Sequence, residues 1–145
     1  MKRFHFGLAK VLDFRRRQLE IEEGKLEALH SERWALDVES SRLESEAAGT
    51  RHSLMVTGSA ESQELVACDL YLRHLSAAKR IHAGKMADWL ARASKQEQAL
   101  VEARRRVRLL EKLEEREFRK WKAVVDRDQE NLSSELYLAR FKRTP

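Results

Sequence analysis

The chain has a single proline, and it is the last residue, Pro145. Proline removes a backbone donor and clashes with the preceding turn, so nothing of that kind interrupts a helix anywhere before the C-terminus. Leucines recur every seven residues in the N-terminal third, at Leu12, Leu19 and Leu26 and then at Leu29, Leu36 and Leu43. A seven-residue leucine period builds a helix that packs lengthwise against another helix. Together the two features predict long helices in a coiled-coil arrangement.

Position by position, the seam alternates steps of four and three: 8, 12, 15, 19, 22, 26, 29, 33, 36, 40, 43, 47, 50 and 54. Leucine fills one column of this seam in the first half and the other column in the second half, with Arg15, Glu22, Arg33 and Ser40 in the complementary slots. Polar residues at seam positions weaken packing and commonly specify register or partner number.

Composition agrees with helices and offers little else. Charged residues make up 37% and aromatics 7%, so apolar side chains must lie in stripes and not in one globular core. No Asn-Gly or Asp-Gly turn and no alternating Val, Ile or Thr run signals a sheet. The fold class expected is all-α, a long antiparallel two-helix coiled-coil hairpin with a short helical segment near the turn.

As a single extended domain over 1–145, the chain divides into a helix at about 8–56, a turn or short helix at about 57–84, and a helix at about 85–141. Gly49 and Gly58 flank a polar stretch, Thr57-Gly58-Ser59 offers a capping residue before Glu61, and Gly84 is a further joint. Treating 61–83 as a separate segment equalises the two long helices, because an unbroken helix from 61 would overhang the first by roughly 45 Å at 1.5 Å per residue. Both termini then meet at one end, where one of Phe4 and Phe6 is expected to dock near Leu136, Tyr137 and Phe141, leaving the other available to a partner. In the last helix, heptads through Met86, Leu90, Ala93, Leu100 and Val107 give way to eleven-residue spacing at Leu110, Trp121 and Leu132, which predicts a straighter end.

The net charge of +5 is local. Residues 1–60 hold ten basic and ten acidic side chains, while 104–122 hold nine basic and four acidic, which accounts for the whole excess. Arg104, Arg108, Lys112, Arg116 and Lys120 follow at four-residue spacing, interleaved with Glu111, Glu114, Glu115 and Glu117. Two readings of that run weigh equally, a solvated face and a surface for an acidic protein. Phe118 and Trp121 sit among cations as base-stacking residues do, but the locality of the charge and its acidic interleaving argue against nucleic acid.

Catalysis has no foothold in the sequence: the five histidines are scattered without ligand spacing, and no glycine-rich phosphate loop occurs. No catalytic residue, metal or cofactor is expected. Cys68 is the one cysteine, which suits a reducing cytoplasm. The basic start is broken by His5, Lys10 and Asp13 before an apolar run forms, so no export signal is expected, and no stretch is apolar enough to span a membrane. In mid-chain Tyr71, Leu75, Ala78 and His82 form a stripe at 4-3-4 spacing, read first as packing on the first helix and second as a helix-in-groove recognition face.

The opening Phe4-x-Phe6-x-Leu8-x-x-Val11-Leu12-x-x-Arg15, followed by a glutamate-rich helix, resembles the start of the FliJ family, the small coiled-coil component of the flagellar type III export apparatus. Tyr71-Leu72-x-x-Leu75, Leu109-Leu110-Glu111-Lys112-Leu113 leading to Trp121, and the tail Leu138-Ala139-Arg140-Phe141 are similar to that family as well. Gly84 and the basic run at 104–108 fall outside its pattern.

The resemblance implies a non-enzymatic stalk similar to the central shaft of rotary ATPases, cytoplasmic and peripheral to the inner membrane at the flagellar base. Its partners would be the export ATPase hexamer, the cytoplasmic domain of the export gate protein, and export chaperones. It assigns ring contact to Phe6, Leu8, Val11, Leu12, Arg15, Arg116, Arg119, Lys120 and Arg127, and gate contact to Tyr71, Leu75, Ala78 and His82. The alternatives are the equivalent stalk of a virulence-type secretion system and, from another class, a basic coiled coil that binds nucleic acid.

Overall fold

A computed structural model describes residues 2–56, 58 and 61–143. It consists of two helices, α1 (Ala9–Val56) and α2 (Ser62–Phe141), and no strand occurs among the described residues. The absence of internal proline is enough to let both run unbroken, and Gly49 lies within α1 without ending it. Gly58 has a φ of 25°, a backbone conformation that glycine adopts without steric cost. The proposed cap at Thr57 and Ser59 lies outside the described residues. Glu64 in the first turn of α2 and Arg140 in its last have the signs that the helix dipole favours.

The expected joint at Gly84 is not there. α2 passes through it without interruption, so the short segment at 61–83 and the long helix from 85 are one helix of 80 residues. A lone glycine in a helix costs only about 1 kcal/mol relative to alanine. Seam residues on either side, His82, Met86 and Trp89, are buried or half-buried and outweigh that cost.

The chain forms two compact units, Met1–Glu20 with Val101–Pro145, and Ile21–Leu100. In each, α1 and α2 pack against each other in antiparallel sense. Every seam position expected in α1 is buried or half-buried except Leu8. Helix α2 answers with its own alternation of four and three, Cys68, Leu72, Leu75, Lys79, His82, Met86, Trp89, Ala93, Gln96, Leu100, Ala103, Val107, Leu110, Glu114, Glu117 and Trp121, all buried or half-buried.

Two expectations for α2 are corrected by this series. The seam takes Trp89, 7% exposed, where the heptad reading places Leu90, and Leu90 points outward. The change of phase at Leu110 does not occur, because eleven residues from Leu110 to Trp121 are also one heptad plus a four-residue step, and the seam crosses them through Glu114 and Glu117. Leu132 is exposed.

In the unit Ile21–Leu100 the buried cluster is Leu43, Ala47 and Leu75, with Leu72 and Ala78 packed on it. Beyond it the seam is polar. His82 Nε2 bonds the Leu36 carbonyl at 2.7 Å, Trp89 Nε1 donates to the Leu29 carbonyl at 2.6 Å, and Gln96 Nε2 donates to the Glu22 carbonyl at 3.0 Å. The three side chains are seven residues apart on one column of α2, and the three carbonyls are seven apart on one column of α1. Each helical carbonyl has a second lone pair free for such a bond. Arg33 stacks on the Trp89 ring at 5.0 Å, and Arg92 pairs with Glu32 at 2.8 Å across the helices.

In the unit Met1–Glu20 with Val101–Pro145 the seam is mainly apolar and aromatic, with Arg15, Glu114 and Glu117 as its half-buried polar members. Phe6, Leu12 and Val107 are buried together, with Phe4, Leu19, Leu110 and Leu113 against them. The Phe4 ring meets Phe118 edge-on at 5.2 Å and Trp121 at 5.7 Å, and Phe118 and Trp121 lie 5.7 Å apart. Such pairs contribute roughly 0.5–1.5 kcal/mol each beyond their burial. Phe4 and Phe6 therefore dock on 107–121 and not on Leu136, Tyr137 and Phe141. That displacement follows from the missing joint, since α2 counted from Ser62 brings an earlier stretch opposite the N-terminus.

Candidate docking surfaces

The N-terminal strap, residues 2–8, is non-helical, with a turn at Gly7 and Leu8 leading into α1, and its two phenylalanines pin it to α2. Ala9 N–H donates to the Phe6 carbonyl at 3.2 Å and Leu12 N–H to the Leu8 carbonyl at 2.9 Å, so α1 starts directly from the pinned residues. Around them opens a groove of about 660 Å³, in which Lys2, Arg3, His5, Leu8 and Lys120 surround the Phe4 and Trp121 rings. One carboxylate, Glu117, lines it and pairs with Lys120 at 3.3 Å. The groove combines cations with an aromatic floor.

The residues assigned to ring contact separate into two sets. Phe6 and Leu12, 6% and 2% exposed, belong to the core and have no surface to offer. Leu8 and Val11 are 40% and 42% exposed, Arg15 is half-buried with its guanidinium 5.7 Å from the Phe14 ring, and Arg116 and Arg127 are exposed on α2. Arg119 is engaged by Glu115. Leu8 and Lys120 share the N-terminal groove, whereas Val11 and the three arginines of α2 lie outside it.

The stripe assigned to gate contact faces α1. Leu75 is core, Ala78 packs against it, and His82 bonds the Leu36 carbonyl. Tyr71 keeps 41% of its surface and donates its hydroxyl to Glu46 at 2.9 Å. That bond to a carboxylate holds the phenolic proton and raises the Tyr71 pKa above its ordinary value, with burial acting in the same direction. Leu75, Ala78 and His82 are thus taken up by contacts with α1 or its cluster, while Tyr71 stays partly open. The reason is register: Leu75 and His82 fall on the α2 seam that α1 covers, with Tyr71 and Ala78 beside it.

Three features escape a reading of the sequence. Trp34 is 72% exposed with Val38 one turn on, and its signal was available, because it lies off the four-three series. The polar ladder was not legible, since nothing in a sequence pairs a side chain with a carbonyl. A second groove, of about 410 Å³, runs along α2 where Arg104, Arg105, Arg108 and Lys112 lie between Val101 and Leu109, with no carboxylate among its lining residues.

The Glu22 carboxyl sits at a polar seam layer. The Gln96 amide, donating to it, lowers its pKa; partial desolvation opposes this and Lys25 assists. Among the described residues no group of three or more His, Cys, Asp or Glu side chains is placed to hold a metal, and no helix is long and apolar enough to cross a membrane. No known protein family, curated protein or solved structure matches the chain.

Proposed function

We propose that the protein is a non-enzymatic stalk and adaptor of a type III export apparatus of the flagellar kind, acting on an export ATPase ring through the unit that holds its N-terminus. The observation that carries this reading is the N-terminal strap: Phe4 and Phe6 fix the start of α1 against α2, leaving Leu8 beside Lys120 on an outward surface. An apolar residue at the turn into α1, next to a cation of α2, suits contact with an acidic, partly apolar rim. Antiparallel helices in a shaft can favour one ring conformation over another through unequal contacts with its subunits. The ATP chemistry belongs to the ring.

Coupling to the export gate and escort of export chaperones are parts of the same proposal. Of the four gate positions Tyr71 retains the surface for direct contact. The location that goes with this function is the cytoplasmic face of the inner membrane at the flagellar base. The equivalent stalk of a virulence-type system would use the same strap and the same outward surface, and the identity of the ATPase that responds separates the two.

The test is turnover and assembly of a purified flagellar export ATPase with and without the chain. The chain should raise turnover or ring formation, and L8D with V11D should abolish the effect while leaving helicity intact, because Leu12 in the core is untouched. An ATPase indifferent to the intact chain overturns the reading.

A further inference from the structure

The second half of α2 carries two shallow grooves on one face, and their charges are opposite. The first is lined by Val101, Arg104, Arg105, Arg108, Leu109 and Lys112. The second is lined by Asp126, Gln129, Glu130, Ser133 and Ser134. Asp126 lies eighteen residues beyond Arg108, and Glu130 eighteen beyond Lys112, about five turns of 3.6 residues in each case, so all four share one side of the helix. Tyr137 stands about ten turns beyond Val101 on the same side.

This side is turned away from α1. Val101, Leu109 and Tyr137 are 64%, 60% and 68% exposed, and Tyr137 stacks on Phe141 one turn further, at 6.4 Å. Among the described residues Arg105, Arg108, Lys112, Asp126 and Glu130 have no ionic partner. Unpaired cations and unpaired carboxylates at matched spacing on one face are a self-complementary pattern.

We propose that this face pairs with the same face of a second copy of the chain, antiparallel, about a twofold axis near Arg119. In that arrangement Arg108 meets Glu130 of the second copy, Lys112 meets Asp126, and Val101 meets Tyr137. The twofold repeats each contact, so one self-complementary patch closes into a dimer and does not propagate. At the axis Arg119 is already bonded to Glu115, so the two copies bring ion pairs together there and not bare cations. A nucleic acid would use the basic groove alone, and no aromatic side chain lines that groove for base stacking. The acidic groove on the same face favours a second copy.

The pairing goes beyond the stalk reading and is tested without any ATPase. Sedimentation equilibrium of the full chain should show a monomer–dimer equilibrium whose dissociation constant rises about tenfold or more between roughly 50 and 500 mM NaCl, because exposed pairs are screened. R108E with K112E, and separately D126K with E130K, should each give monomers of unchanged helicity. An equimolar mixture of the two variants should dimerise again, since every reversed charge then meets its opposite.

A chain that stays monomeric at low salt overturns the proposal, as does a dimer that neither reversal weakens or a mixture that does not recover. Oligonucleotide binding through Arg108 and Lys112 by a chain that remains monomeric assigns the basic groove to nucleic acid and likewise overturns it.

Discussion

The two units solve the same problem, holding α2 against α1, with different chemistry. The unit Ile21–Leu100 uses a small cluster of Leu43, Ala47 and Leu75 followed by three side chains bonded to carbonyls. The unit built on the N-terminus instead clasps α2 with aromatic rings. The first can tolerate Glu22, Arg33 and Gln96 in its seam because each has a cross-helix partner. The second rests on apolar and aromatic contacts and has fewer polar groups in its seam, Arg15, Glu114 and Glu117.

The sharpest way to break the contrast is Trp89→Ala. It removes a buried ring, the Leu29 bond and the stack under Arg33, and should cost about 3–5 kcal/mol. In hydrogen exchange the loss should appear in Ile21–Leu100 and leave amides near Phe6 protected. Next comes Leu12→Ala, at about 2–4 kcal/mol for a side chain 2% exposed, with the reverse pattern of exchange.

Phe4→Ala is expected to be smaller, about 1–2 kcal/mol, since the ring is half-buried and its gain rests on two aromatic contacts. Its readout is a red shift and quenching of Trp121 emission, measured with Trp34 and Trp89 replaced by Phe. An unchanged spectrum would mean that the strap is not seated on α2. The smallest effect is acidic. Because the Glu22 pKa is lowered in the folded chain, its contribution is present above the ordinary carboxylate range and is lost as pH falls through the lowered value. The difference in Tm between the parent chain and Gln96→Leu should therefore shrink as pH falls from neutral to about 3.

Much of α1 is legible because its seam is written in leucine, and thirteen consecutive members of the four-three series from Leu12 onward are indeed turned inward. In α2 the same rule meets two equally spaced choices, Trp89 and Leu90. Hydropathy favours leucine, whereas the fold takes the residue whose ring N–H reaches a carbonyl. Gly84 misleads for a similar reason: its local cost is real and the packing of His82 and Met86 around it is larger. From that one joint comes the wrong docking partner for Phe4 or Phe6. The ring-contact assignments include Phe6 and Leu12 because sequence gives periodicity, and periodicity alone does not say which apolar residues a partner helix has already covered.

Each rung of the ladder ends on a backbone carbonyl, and α1 repeats that carbonyl on the same column every heptad. A slide of α2 by seven residues would carry the Trp89 indole from Leu29 to another carbonyl of the same column, and His82 and Gln96 with it. These bonds taken alone do not distinguish one heptad from the next. The stops are Arg33 on Trp89, the Glu22 side chain with Gln96, Arg92 with Glu32, Tyr71 with Glu46, and the fit of Leu75 to Leu43 and Ala47. Register in this unit is therefore set by those side-chain contacts and not by the carbonyl bonds, which repeat with the heptad.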